Sequence, residues 1–233
     1  MSSCLHPHDL YLQQMIEVKQ RLRAVDWILG AKKPLTRNEE VDNENAFLQV
    51  RKIIELITFS AIMSDEQRYK KLRELDATKN PKDKGNYTLD WNAADILVRL
   101  SKISPHFLPR PLGLMTEQAD GTKHFNETKA KLTHDRLIEI YKLAGSYLHI
   151  ANPYKLNAIN LENKKKETAR ELLKKEVTYL KSVIWEHIKI GLTWKADSDP
   201  TALENTESAW LVSFGNKDSD QVNMALASAL KPT

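Results

Sequence analysis

Apolar residues recur at helical spacing along most of the chain and change to alternation near its end. Leu12, Met15, Ile16, Lys19, Leu22, Val25 and Trp27 predict a first helix from about His8 to Leu29, with Gly30 as its stop. A polar link around Pro34 follows. The segment from Glu44 to about Met63 is the most apolar, with Phe47, Val50, Ile54, Ile57 and Ala61 on one stripe and Leu48, Phe59 and Ile62 on another side. A helix apolar nearly all round belongs at the centre of a bundle. Asp65 to Leu75 reads as a short charged helix, and ATKNPKDKGNYT as a loop. The next helix runs from Asp90, as N-cap, to Ile103 and should bury Trp91, Ala94, Leu97 and Leu100.

The stretch SPHFLPRPL ends that helix. Pro111 has no N–H for a ladder, so a strand should begin after it. Leu112 to Thr116 and Thr122 to Asn126 flank Asp120-Gly121, a hairpin turn. Thr133 caps a helix carrying Leu137, Ile140, Tyr141, Ala144 and Leu148. Leu161 to about Ile188 predicts the longest helix, with His187 on its buried side. Then Trp210, Val212 and Phe214 alternate, as do Val222, Met224 and Leu226, with NKDSD between them, and KIGLTW offers a third strand. The expected fold is α+β and mainly α: one domain over residues 1–233, with a bundle of about five helices over about 8–189. A small antiparallel hairpin or sheet fills about 190–228.

Composition narrows the class. A chain of 233 residues with 41% hydrophobic and 28% charged residues can bury a core without a metal or disulfide staple. Only seven glycines argue against a large all-β fold. Cys4 is the single cysteine, so an internal disulfide is excluded. MSSCLHPHDL has neither the basic start nor the apolar core of a signal peptide, and no apolar run approaches the ~18 residues of a membrane span. A cytoplasmic location without membrane contact is expected. The formal charge of +4 permits nucleic-acid contact without demanding it.

Candidate chemistry is densest in YLHIANPY, residues 147–154. Asn152 precedes Pro153 and so leaves helical space, which ends the helix near it and puts His149 in the last turn. There His149 can bond free carbonyls, or act as a general acid/base with Asn152 and Tyr154 supplying hydrogen bonds. Arg51 and Glu55 stand four residues apart inside the apolar helix. A charge there must be paired, so they form an internal ion pair or frame a cleft in which Arg51 meets a phosphate. Cys4, His6 and His8 lack a second pair of ligands for a metal, and His124 and His134 are isolated; no metal or other cofactor is expected. Trp194 and Trp210 read as core or interface packing.

FLQVRKIIELITFSAI, DILVRLSKISPHFLPRPL, LHIANPY and the final WLVSFG…VNMALA hairpin occur in that order. Together they resemble a family of uncharacterised bacterial helical proteins. Its members share an apolar helix with Arg-Lys, a Pro-Arg-Pro turn, an LHxxNPY-like segment and a C-terminal hairpin. The resemblance covers most of the chain from Phe47 onward. That family is in turn loosely similar to HEPN-type bundles, many of which bind or cut RNA with an arginine shortly before a histidine on a late helix. Here the local arginine is replaced by Lys142, with six residues between it and His149. Two classes of function follow as expectations. One is a binding or interaction protein working as a homodimer. The other is an RNA binder or ribonuclease with His149 and Arg51 as catalytic groups and Glu55, Asn152, Tyr154 and Lys142 as ligand contacts.

Overall fold

The structure, a computed structural model, describes residues 7–79, 85–113, 115–117, 119, 123–125, 128–150, 154, 158–192 and 206–227. It is mainly α with a small antiparallel sheet. The helices are α1 (Pro7–Gly30), α2 (Glu39–Ser64), α3 (Glu66–Lys79), α4 (Ala93–Ile103), α5 (His134–Tyr147) and α6 (Ala158–Ile184). The strands are β1 (Arg110–Pro111), β2 (Met115–Glu117), β3 (Lys123–Phe125), β4 (Glu186–Leu192), β5 (Thr206–Ser213) and β6 (Asn223–Ala227).

α2 is the hub. It packs most extensively on α1 and also meets α3, α4, α5 and α6. Phe47, Val50, Ile53, Ile54 and Ile57 are all buried along it. It begins five residues before the apolar run suggests, because the polar residues ahead of Glu44 build its start. The Asn38 side chain caps Glu40 N at 2.9 Å, and Asp42 accepts bonds from Leu35 N, Thr36 N and the Thr36 hydroxyl. Glu39, Glu40 and Asp42 also suit the positive end of the helix dipole.

Several sequence expectations are corrected. The N-cap of α4 is Asn92, bonded to Ala94 N at 3.0 Å, and not Asp90. Asp90 instead accepts from Tyr69 Oη at 2.7 Å and pairs with Arg73 Nε at 2.8 Å. The shift of the cap turns Trp91 out to 70% exposure. On α1 the buried stripe runs through Val25 and Ile28, leaving Trp27 at 74% exposure. Pro111 lies within β1, opposite His187, and the adjacent Leu112 N donates to Glu186 O at 2.8 Å. It is tolerated because β1 is an edge strand with its ladder donor supplied one residue on. α6 stops at Ile184, and His187 belongs to β4. The Ile184 carbonyl at the helix end accepts from His187 Nδ1 at 2.7 Å, while Ile188 and Ile190 continue as a strand.

β2 and β3 form the expected arm, while Asp120-Gly121 falls outside the described residues. The main sheet has four strands in the order β1-β4-β5-β6, all antiparallel. Its register puts His187, Lys189, Trp210, Val212, Met224 and Leu226 on one face, and Ile188, Leu211 and Ala225 on the other. The first face closes on α1. There Tyr11 Oη donates to His187 Nε2 at 2.7 Å, and buried Lys19 donates to the carbonyls of Phe214 and Gln221. A cation at a core-facing position of α1 thus ties the β5–β6 connection to the first helix.

Candidate functional site

Arg51 and Glu55 share one face of α2 through their four-residue spacing. Their side chains are about three-quarters covered, and Arg51 Nε lies 3.3 Å from Glu55 Oε1. Across the helix contact Arg51 Nη2 donates to Tyr141 Oη at 2.5 Å. Its guanidinium also sits over the Tyr141 ring, 4.2 Å from the centroid. Gly145 leaves room for the guanidinium in this position: a Cβ there would lie 2.8 Å from Arg51 Nη1. Burial raises the Tyr141 phenol, against the opposing effect of the Arg51 charge. The phenol therefore stays protonated at neutral pH. The guanidinium fork is shared between a carboxylate, a phenol and a ring face.

The remaining candidates sit further along α5. Phe47, one turn before Arg51, stacks on Tyr147 at 3.9 Å between centroids. α2 and α5 are therefore antiparallel here, and the stack marks the level after the Arg51–Tyr141–Gly145 level. α5 ends at Tyr147, with Leu148 as C-cap bonded to Gly145 O. His149 lies past the helix, exposed, rather than in its last turn. Lys142 is exposed beside Tyr141, and Tyr154 is 95% exposed. Asn152 lies outside the described residues. The structure thus brings Arg51 and Glu55 together with Tyr141, a partner that sequence reading placed only in the core. It sets His149 beyond an aromatic layer.

A second locus was missed. The α4 end, the segment from Pro105 to Pro111 and the approach to α5 bound a cleft of about 510 Å³. Phe107 and Leu108 anchor the proline-rich segment in the core. From beneath, Lys189 Nζ donates to Phe107 O at 2.6 Å and Arg68 Nη2 donates to Ile103 O at 2.5 Å. Asp65 lies 3.6 Å from Arg68 Nη1. All three charged side chains are buried. Burial lowers the Lys189 amine to about 8, with Asp65 opposing, and raises the Asp65 carboxyl, with Lys189 and Arg68 opposing. The sequence pattern hid this: Lys189 alternates with the apolar Ile190 and Leu192, and only the strand register, which sets it opposite Trp210 on the face of Val212, brings the cation inside.

Among the described residues, no group of three or more His, Cys, Asp or Glu side chains could hold a metal ion, and no helix is long and apolar enough to cross a membrane. Compared with protein-family models, curated proteins and solved structures, the chain matches none.

Proposed function

We propose that the protein is a cytoplasmic binding protein that works as a homodimer joined through β6. The observation that carries this reading is the contrast between the two edges of the sheet. Sheet edges are ordinarily blunted by short strands, proline or charge, because their free backbone groups recruit other strands. β1 has all three devices: it is two residues long and consists of Arg110 and Pro111. β6, NMALA, has five residues, no charge and no proline, and among the described residues no strand lies beyond it.

Antiparallel pairing of β6 with its own copy about Ala225 gives a twofold contact in which the same patch serves both chains. Met224 then faces the partner's Leu226, which covers a leucine that is 61% exposed in the single chain. Ala225 faces the partner's Ala225, and the four-stranded sheet becomes one continuous sheet twice as wide. The Arg51 centre supports a binding role over HEPN-type RNA cleavage, since its guanidinium is already held by Glu55 and Tyr141.

Light scattering after size exclusion tests the proposal with Ala225→Glu and Ala225→Lys. Wild-type protein should elute as a dimer. Each variant alone should be a monomer, because like charges meet on the twofold axis, and an equal mixture of the two should restore the dimer. A monomeric wild type, or a dimer indifferent to both charges, overturns the reading.

A further inference from the structure

We propose that the outer face of α4 is a second contact between copies of this chain, weaker than β6, in which two α4 helices pack antiparallel about a twofold axis at Val98. The inner face of α4 belongs to the core: Ala93, Ile96, Leu97, Leu100 and Ile103 are buried. The outer face carries Asp95, Val98 and Lys102, all exposed and spaced to share one side of the helix. Ahead of the helix Asp90 turns inward to Tyr69 and Arg73, while its two neighbours stand in solvent. Leu89 is 61% exposed and Trp91 is 70% exposed, and Val98 on the helix itself is 44% exposed. Large apolar side chains gathered on one surface mark a contact face, and tryptophan is enriched among the residues that dominate interface energies.

Charge selects the occupant. Asp95 lies one turn before Val98 and Lys102 one turn after it, and among the described residues neither joins an ion pair. The other charge beside the stripe, Arg99, is engaged by Asp76 at 3.7 Å and Asp90 at 3.8 Å. A stripe ordered acid, valine, base is its own complement when turned end for end. In an antiparallel pair Asp95 meets the partner's Lys102, Lys102 meets the partner's Asp95, and Val98 meets the partner's Val98. A parallel pair would set like charges against each other. The helix dipoles also oppose each other favourably in the antiparallel arrangement. The same register carries Trp91 beyond the partner's helix end, over the partner's exposed Pro105. One helix face with few anchors makes a small interface of the kind that associates weakly. In dilute solution the β6 dimer therefore stands alone. At higher concentration α4 joins dimers, since two different twofold contacts on one chain close as a tetramer or run on as a filament.

The contact is independent of β6 and is tested with β6 disabled. Sedimentation velocity of full-length Ala225→Glu, from about 10 µM to about 1 mM, should show reversible dimerisation with Kd on the order of 0.1–1 mM. Asp95→Lys or Lys102→Asp in that background should weaken it at least ~tenfold, and the two together should restore it to within ~threefold. The double exchange leaves each helix end with its unfavourable charge, so restoration separates pairing across the axis from a merely weakened helix. Trp91→Ala, with unchanged circular dichroism, should also weaken association at least ~tenfold. No association of Ala225→Glu up to about 1 mM, indifference to a single charge exchange or to Trp91→Ala, or no restoration by the double exchange overturns the proposal. Failure of the β6 reading looks different: Ala225→Glu would then behave as wild type, while the α4 exchanges keep their effect.

Discussion

Acid should loosen the joint between α1 and the sheet, and the effect can be worked from one imidazole. His187 is fully enclosed. Its Nδ1–H donates to the Ile184 carbonyl at 2.7 Å, which fixes the tautomer and leaves Nε2 to accept from Tyr11 Oη at 2.7 Å. The ring edges of Tyr11 and Phe214 complete the pocket. Burial, opposed by the Ile184 carbonyl and reinforced by the Lys189 charge, lowers the imidazole from 6.5 to about 4. The unfolded chain therefore holds one more proton than the folded chain between those pH values, and stability falls as pH drops through them. At about 1.4 kcal/mol per pH unit, the gap corresponds to about 3 kcal/mol. Above pH 7 the contribution is complete, and below pH 4 it is gone.

The perturbation is Tyr11→Phe/His187→Leu, which removes donor and acceptor together and so avoids stranding a buried hydroxyl. Urea unfolding at one fixed protein concentration, followed by tryptophan fluorescence, is measured at pH 7, 6, 5 and 4. Trp185 packs 5.5 Å from Phe214 and reports on this joint. Carboxylate titration is common to both proteins and cancels in the difference. Wild type should lose about 3 kcal/mol more than the variant between pH 7 and pH 4. Equal losses in the two proteins would refute the assignment of a buried neutral His187.

Other substitutions test other joints. Arg51→Met should destabilise by about 1–2 kcal/mol, and a double-mutant cycle with Tyr141→Phe should show coupling of about 1 kcal/mol, read by thermal unfolding. Lys189→Met leaves the Phe107 carbonyl without its donor and should cost about 1–3 kcal/mol, with backbone NMR shifts concentrated at residues 103–109. Asn38→Ala removes the cap of α2 and should cost about 1 kcal/mol in chemical unfolding. Incubation of wild type and His149→Ala with single-stranded RNA should leave the RNA intact in both cases. Cleavage by wild type alone would instead restore His149 as a catalytic group.

The bundle was legible because period and polarity agree along α2, α4 and α5. Phe47, Val50, Ile54 and Ile57 mark the hub, and Thr133 marks the start of α5. The errors cluster where a local signal had a competitor. Asp90 and Asn92 are both good caps, and only the buried Tyr69 and Arg73 decide that Asp90 is engaged elsewhere. Helical spacing continues past Ile184 into His187, but the end of α6 is set by a tertiary pocket that sequence period does not encode. The Arg51–Glu55 pair followed from spacing alone. Tyr141 as its third member depends on how α5 crosses α2, which residue spacing within α2 does not encode. The buried cations Lys19, Arg68 and Lys189 look like ordinary surface residues until the carbonyls they satisfy are known.

The edge of the sheet carries the central claim, and amide hydrogen exchange across β6 probes it most directly. At a concentration where the dimer is populated, the amides of Asn223–Ala227 that point away from β5 should be protected. That protection should disappear on dilution and in Ala225→Glu, while the β5–β6 amides keep theirs. Outward-facing amides that exchange freely at every concentration would contradict the account.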